Sequence, residues 1–394
     1  MKRNLRLSRR EFLRTGTISA TALLLGSYTL QRAEGSCRSQ NNLFRGGTKL
    51  GVVAFGDEGL IPLDTPLGTE LDGRLYTDLS RISEGNAVTP SAAFYVRTRA
   101  SRLLPRTESW RVAVDGLVER ASSFTITELN EQTRPLGTHL MECAGNPRMA
   151  SFGMISVATW RGVPISEILD KVKIKAQATR VLIAGFDHYA TQSASSIPGA
   201  SWVFTPEQLN TAGAMLATGM NHQALTKDHG APVRLLVPGW YGCACIKWVN
   251  HIQLVDDTAE ATSQMQEYAT RTFQDGVPRL AKEYKAALID PAAMPVRVEK
   301  WRVAGKIKYR IVGILWGGSQ TIKELQICIS PDGRCVPVDS FCQTKPDCWT
   351  IWSHAWSPPK PGVYAIRLAV KSPPVQARKL DSGYYVRSVS IAEV

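Results

Sequence analysis

The pattern of hydrophobic and polar positions changes character at about residue 290. Before that point, short runs with β-strand preference alternate with short helical segments. We predict strands over residues 94–99, 110–116 and 181–187, the start of a helix in 124–129 capped by Thr125 or Thr127, and a second helix over 164–172. Beyond residue 297, short strands separated by turns predict a β-sandwich over 300–303, 306–316, 324–330, 349–356, 362–370 and 383–391. The pattern therefore predicts an α+β fold in which a mixed α/β domain precedes an all-β domain.

The boundaries follow from the same pattern. We place a targeting segment at 1–35, an extended lead-in without periodic helix at 36–90, the mixed domain at 91–285, a linker containing Pro291 and Pro295 at 286–297, and the all-β domain at 298–394. We expect the lead-in to wrap around the mixed domain.

The first 35 residues are typical of an export signal. Residues 8–14 read Ser-Arg-Arg-Glu-Phe-Leu-Arg, a twin-arginine pattern, and a modest apolar stretch follows over residues 18–30. Twin-arginine export carries folded proteins, which predicts a periplasmic protein whose cofactor is inserted before export. A retained N-terminal membrane anchor is the alternative.

The chain of 394 residues carries a net charge of +13, of which residues 1–35 contribute +5 and the remainder +8. This moderate excess suits an anionic substrate or cofactor and an acidic electron acceptor. There is no Lys/Arg-rich run with interleaved aromatic residues and no zinc-finger spacing, so we expect no nucleic-acid partner.

Eight cysteines occur in the chain. The absence of a Cys-x-x-Cys-His sequence predicts no c-type haem. Cys328, Cys335, Cys342 and Cys348 lie close together near the C-terminus. In an oxidising compartment they predict one or two disulfides, with a zinc site as the alternative. Cys243 and Cys245 alternate along a predicted strand and therefore should not bond to each other.

Cys143 lies at the end of an apolar run. The small-residue turn Ala144-Gly145-Asn146-Pro147 follows it, and Arg148 lies five residues after the thiol. A sharp turn that brings backbone N–H groups and a cation near sulfur favours thiolate over thiol. A thiolate is either a nucleophile or a soft metal ligand, and a buried structural cysteine is the alternative interpretation.

Residues 139–148 (His-Leu-Met-Glu-Cys-Ala-Gly-Asn-Pro-Arg) and 156–165 resemble the sulfite oxidase family of molybdopterin enzymes. The resemblance implies that Cys143 is the only protein ligand to molybdenum. It also implies a sulfite-oxidase-type molybdopterin domain, a C-terminal immunoglobulin-like dimerisation domain and hence a homodimer.

Residues 228–248 form a second block, predicted as a turn, a strand, a Pro-Gly break and another strand. They are similar to the family's signature for binding the pterin and its phosphate, a role that the resemblance gives to His229, Arg234, Cys245, Ile246 and Lys247. A planar guanidinium, a lysine charge and a glycine-rich turn suit a phosphate. A hydrogen-bonded structural histidine is the alternative for His229.

Residues 94–99 resemble the family's Phe-Val-Arg-Asn-His segment, with Arg99 in place of its histidine. The resemblance implies pterin contacts from Tyr95, Val96, Arg97, Thr98 and Arg99, and from Asp187. It places Arg97 in the anion pocket and Tyr268 beside the metal, although Tyr284 is a rival for that position.

The resemblance implies a molybdopterin oxidoreductase that oxidises a small sulfur anion, with sulfite to sulfate as the first assignment. Arg97, Arg148 and Tyr268 are implied to hold the substrate, and electrons leave to an external carrier such as a c-type cytochrome. The cation that the family places directly before a C-terminal glycine is absent before Gly383, where Arg378, Lys379 or Arg387 substitute only in part.

Alternatives within the family are a subunit like sulfane dehydrogenase and a sulfoxide or other oxo-substrate reductase. A cofactor-free exported binding protein is an alternative from another class. A hydrolase with Cys143 as its nucleophile is a further alternative, and it would need a histidine base, for which His139, four residues earlier, is poorly placed if the segment is extended.

Overall fold

The computed structural model describes residues 44–56, 58–83, 85–341, 348–371 and 375–394. The predicted export signal lies outside these ranges. In the described part, the α-helices are α1 Ile126–Glu131, α2 Ile165–Val172, α3 Pro206–Thr211, α4 Ser263–Tyr268 and α5 Arg378–Asp381. None of its helices is both long and apolar enough to cross a membrane.

Strands make up most of the regular secondary structure. They are, in chain order, β1 Thr48–Val53, β2 Arg111–Gly116, β3 Ser122–Thr125, β4 Arg134–Glu142, β5 Ile155–Pro164, β6 Arg180–Gly185, β7 Ser201–Phe204, β8 Met215–Met220, β9 Gln223–Ala224, β10 Arg234–Leu236, β11 Val249–Val255, β12 Ala292–Val303, β13 Lys306–Trp316, β14 Leu325–Ile329, β15 Cys335–Pro337, β16 Thr350–Trp356, β17 Gly362–Val370 and β18 Arg387–Ile391.

The first domain contains two five-stranded sheets. One has the order β10-β8-β5-β4, with β9 paired to β8, and the other has the order β3-β2-β11-β6-β7. Only β2 and β11 run parallel within them. The two sheets and the short helices bury one continuous hydrophobic core that includes Trp160, Trp202 and Trp248. This confirms the predicted mixed α/β domain.

The second domain is a β-sandwich, as predicted. Its sheets have the orders β1-β12-β13-β16 and β15-β14-β17-β18. Alternate residues of the two sheets share a separate core, to which Ile311 and Trp352 contribute from one sheet and Ile366 and Val389 from the other. Cys328 and Cys335 form a disulfide, which confirms one of the predicted bridges. Cys342 lies outside the described residues.

The lead-in differs from the prediction. Strand β1 pairs antiparallel with β12, so the lead-in begins inside the C-terminal sandwich before it reaches the first domain. The predicted linker is also shorter, because β12 starts at Ala292 and includes Pro295. Proline is tolerated there because the register shifts between Pro295 and Arg297, and a bulge does not require its missing N–H.

Two further predicted strands do not form. Residues 94–99 make only one isolated bridge, between Leu75 and Val96. The segment after the Pro-Gly break forms a 3-10 turn over Gly242–Ala244 instead of a strand. Cys243 and Cys245 are both free thiols, as predicted. Thr125 forms a capping box with Glu128, which confirms Thr125 as the cap of α1.

Candidate active site

A cleft of about 110 Å³, partly open to solvent, lies in the first domain where the 94–99 segment meets the turns around Cys143 and Cys243. Most of the predicted site residues line it. They are Tyr95, Val96, Arg97, Thr98, Cys143, Asp187, His229, Arg234, Cys245, Ile246, Lys247 and Tyr268. The structure therefore brings together residues that are up to 173 positions apart in the sequence.

Cys143 follows directly after β4, and its N–H donates to the Met154 carbonyl at 2.9 Å. Its thiol is free and buried. Burial raises the pKa of this thiol, and the charge of Arg97, the Gly145 N–H and the charge of Lys379 oppose that rise in part. The turn thus brings an N–H group towards sulfur, as predicted, but burial outweighs it, so the isolated thiol is not held as a thiolate.

Arg148 occupies a different place from the one predicted. Its guanidinium donates to the carbonyls of Tyr384, at 3.1 Å, and Val386, and it does not line the cleft in the described structure. The reason is that the 3-10 turn Arg148–Ala150 directs the side chain towards the C-terminal segment. The positive charges near Cys143 are instead Arg97 and Lys379.

Three cations in the cleft have no carboxylate within ion-pair distance in the described residues: Arg97, Arg234 and Lys247. Arg234 is buried and donates to the His229 carbonyl at 3.1 Å and the Cys245 carbonyl at 3.2 Å, while its Nε has no partner. Lys247 donates to the carbonyls of Thr98 and Asp228. Burial lowers the pKa of both Arg234 and Lys247. Such a cluster favours a bound anion.

His229 is fully hydrogen-bonded within the protein. Its Nε2 donates to the Phe94 carbonyl at 3.1 Å, and its Nδ1 accepts from the Thr226 hydroxyl at 2.7 Å. Burial lowers the pKa of His229 to about 4, so the ring is neutral at pH 7. The ring nitrogens are therefore not free for a ligand, and His229 instead anchors the segment that carries Arg97.

Asp187 also lines the cleft. Burial raises the pKa of its carboxyl group, and its Oδ1 is buried without a partner. Arg99, predicted to touch the pterin, forms an ion pair with Asp228 at 2.9 Å and lies outside the cleft lining. Tyr268 lines the cleft at the end of α4, whereas Tyr284 donates to the Pro278 carbonyl elsewhere. The structure thus separates the two rival tyrosines.

Sequence reasoning missed Arg74, in the lead-in. Its Nη1 donates to the Arg97 carbonyl at 2.6 Å and its Nη2 to the Ser196 hydroxyl at 3.0 Å. Arg97 approaches the same hydroxyl at 3.4 Å. Two guanidinium groups therefore share one hydroxyl in the cleft wall. Arg74 lies 23 residues before Arg97 in a stretch without regular pattern, so no local signal indicated it.

The described residues fit a molybdopterin cofactor. Arg234 Nε and Asp187 Oδ1 are buried polar atoms without partners, and both residues line the cleft, as expected if a polar ligand completes them. Unpaired cations suit its phosphate, and the free thiol of Cys143, one of three free thiols in the lining, suits a soft metal. The described part of the chain contains no cluster of three His, Cys, Asp or Glu residues that would bind a metal without the thiol.

Comparisons with known proteins agree with this fit. Residues 101–263 match the family described as oxidoreductase molybdopterin binding domain. Nitrate reductase (NADH) 1 of Phaseolus vulgaris is 29% identical over 203 residues, which are 46% of this chain and 22% of that protein. Nitrate reductase (NADPH) of Mycosarcoma maydis is 30% identical over 215 residues, 45% of this chain and 21% of that protein. The chain thus matches about a fifth of the length of each of these two relatives.

Among solved structures, the sulfane dehydrogenase SoxCD from Paracoccus pantotrophus matches with a TM-score of 0.63 at 20% identity, over 83% of this chain and 88% of that chain. Fold and cleft together define a molybdopterin-binding oxidoreductase domain followed by a β-sandwich. Residues 101–263 carry such a molybdopterin-binding domain, and the chain shares the overall fold of the SoxCD structure.

Proposed function

We propose that this chain is a periplasmic molybdopterin-dependent oxidoreductase that transfers an oxo group at molybdenum to or from a small sulfur oxyanion, with sulfite to sulfate as the first assignment. The observation that carries the proposal is the free thiol of Cys143 in a cleft with three cations that lack carboxylate partners in the described residues. Electrons would leave to an external carrier such as a c-type cytochrome.

Cys143 would bind the metal, and the bound molybdopterin supplies the two-electron oxo-transfer chemistry. Burial raises the pKa of the Cys143 thiol, but a thiol that binds a metal loses its proton outright, so burial would not prevent Cys143 from acting as a ligand. Arg234 and Lys247 would hold the phosphate, and Asp187 would accept a hydrogen bond from the pterin.

Arg97 would attract and orient the substrate anion, because its guanidinium lines the cleft without a carboxylate partner. Arg74 fixes its position through the Arg97 carbonyl and Ser196. Tyr268 lies in the same wall, and burial raises the pKa of its phenol, so it stays protonated and can donate a hydrogen bond to an oxyanion.

The test is molybdenum content together with sulfite-dependent reduction of ferricyanide or cytochrome c, using full-length protein from a molybdenum-replete host. We expect one metal per chain and turnover with sulfite. A metal-loaded protein that is inert to sulfite would contradict the sulfite assignment. A protein without metal would contradict the whole proposal and favour a cofactor-free binding protein.

A sulfane dehydrogenase-like subunit is the second candidate, favoured by the fold shared with SoxCD. A reductase of nitrate, a sulfoxide or another oxo substrate is the third, since the matched relatives are nitrate reductases. Turnover measured in parallel with sulfite, a protein-bound sulfane, nitrate and a sulfoxide separates these candidates. The twin-arginine export signal and the homodimer remain predictions, tested by cell fractionation and by light scattering.

A further inference from the structure

Glu142, which immediately precedes Cys143, is a fully buried carboxylate with 0% exposure. In the described structure it has no cation within ion-pair distance. Burying a carboxylate costs folding free energy unless hydrogen-bond donors replace the water it loses, so the residues that donate to Glu142 matter for the fold.

Both donors come from the C-terminal part of the chain. The Tyr385 hydroxyl donates to Glu142 Oε1 at 2.6 Å, and the Trp316 indole N–H donates to Oε2 at 2.8 Å. Both side chains are buried, and their rings meet edge to face at 5.1 Å. One carboxylate oxygen is thus assigned to each donor.

The turn after Cys143 is held from the same side. Lys379 donates to the Ala144 carbonyl at 3.1 Å, and the Tyr384 hydroxyl donates to the Asn146 carbonyl. We call Trp316, Lys379, Tyr384 and Tyr385 the C-terminal clamp. It contacts the residues directly before and after the thiol, while Cys143 itself faces the cleft.

We propose that Trp316 and Tyr385 are positioning residues for the metal ligand: by fixing the Glu142 carboxylate they set the direction of the Cys143 side chain. Successive side chains of an extended segment point to opposite faces, so fixing Glu142 on the sandwich side directs Cys143 towards the cleft. The C-terminal sandwich is then part of the metal site without touching the metal. This inference rests on the proposed binding of molybdenum by Cys143.

The variants Tyr385→Phe and Trp316→Phe each leave one buried carboxylate oxygen without its donor. We expect the Glu142 side chain to move and the thiol to lose its fixed direction. Two readouts follow in full-length protein: molybdenum per chain after gel filtration, and the rate at which iodoacetamide alkylates Cys143 in chain produced without molybdopterin. Peptide mass spectrometry distinguishes Cys143 from Cys243 and Cys245.

Two matched controls lie in the same sandwich. Tyr309→Phe removes a buried hydroxyl that donates to the Glu393 carbonyl, and Trp352→Phe alters a fully buried indole whose N–H has no partner. We expect about tenfold faster alkylation of Cys143 and reduced molybdenum in the clamp variants relative to these controls. Glu142→Gln should stay close to wild type, because its amide oxygen can accept from Trp316 and its amino group can donate to the Tyr385 oxygen.

Equal alkylation rates and equal metal content in the clamp and control variants would overturn the inference. Failure of the proposed function looks different: the wild-type chain would then carry no molybdenum, while the alkylation comparison would still report whether the clamp holds the thiol.

Discussion

The two sides of the cleft are built differently. On the thiol side, Glu142, Ala144 and Asn146 around Cys143 all have hydrogen-bond partners from the C-terminal clamp. On the cationic side, Arg234 keeps a buried Nε without a partner, and no described carboxylate neutralises it. On the thiol side the carboxylate and the two carbonyl groups are paired as folded, although Asn146 Nδ2 there is buried without a partner, whereas the cationic side is left for a ligand to complete.

This difference matches what each side has to do. A protein ligand to a metal must be held in one direction, which hydrogen bonds to its neighbours achieve. A surface that binds an anionic cofactor must keep donors and positive charge available. The cost of burying unpaired charge is therefore concentrated on the cofactor side, where binding offsets it.

The strongest test of the thiol side is Cys143→Ser. We expect activity to fall by at least about a thousandfold, because a hydroxyl is a poor ligand for a soft metal centre. The fold should be kept, since a serine of similar size fits the turn. Turnover and circular dichroism on the same preparation measure this, and unchanged turnover would rule out Cys143 as the ligand.

Two buried arginines, one with and one without a carboxylate partner, test the difference between the two sides of the cleft. Arg387 is 3% exposed and paired with Glu58, whereas Arg234 is 4% exposed and has no carboxylate partner. Arg387→Met should cost about 3–5 kcal/mol, because it leaves Glu58 buried and unpaired. Arg234→Met should cost less than about 2 kcal/mol in cofactor-free chain, because it removes hydrogen bonds to two carbonyls and Met141 Sδ and a contact with the Trp160 ring but leaves no carboxylate unpaired.

Urea unfolding of both variants without cofactor measures these costs, and pterin content measures the role of Arg234 in the loaded protein. We expect Arg234→Met to lose cofactor and Arg387→Met to lose stability. Equal losses of stability in the two variants would contradict the view that the cationic side is completed by a ligand.

His229 makes a prediction about pH. Because burial lowers its pKa in the folded state to about 4, the unfolded chain binds its proton first, at pH about 6.5. Stability should therefore decrease as pH falls from 6.5 towards 4, by about 3 kcal/mol in total. His229→Gln keeps a donor for the Phe94 carbonyl and should flatten this dependence. Parallel stability curves for the two proteins would contradict the assignment.

The smallest expected effect concerns Ser196, which Arg74 and Arg97 share. In Ser196→Ala both guanidinium groups lose one hydroxyl contact but keep their other contacts. We expect the KM for sulfite to rise about threefold with kcat nearly unchanged. Steady-state kinetics measure this, and a large fall in kcat would instead place Ser196 in the chemistry itself.

Features with local causes were predictable from the sequence. The capping box between Thr125 and Glu128 depends on residues three apart. Helix α2 has buried residues at helical spacing, and the turn after Cys143 follows from its small residues. The joint presence of Arg234 and Lys247 in the cleft was also predictable, because they lie only thirteen residues apart and a Pro-Gly break between them turns the chain back.

Features that depend on distant partners were not predictable. Glu142 is held by residues 174 and 243 positions away, and Arg148 turns to a segment 236 positions away. Residues 94–99 fail to form a strand because side chains take their carbonyl groups: Arg74 binds that of Arg97, and Lys247 binds that of Thr98. Strand propensity alone gives no sign of this competition.

The pairing of β1 with β12 has a consequence for how the chain folds during synthesis. Val53 pairs with Val298, so β1 is made long before its partner. At the usual rate of translation, β1 waits roughly 10–50 s for β12 to emerge. During that time its backbone groups lack their partner strand and are open to pairing with another chain.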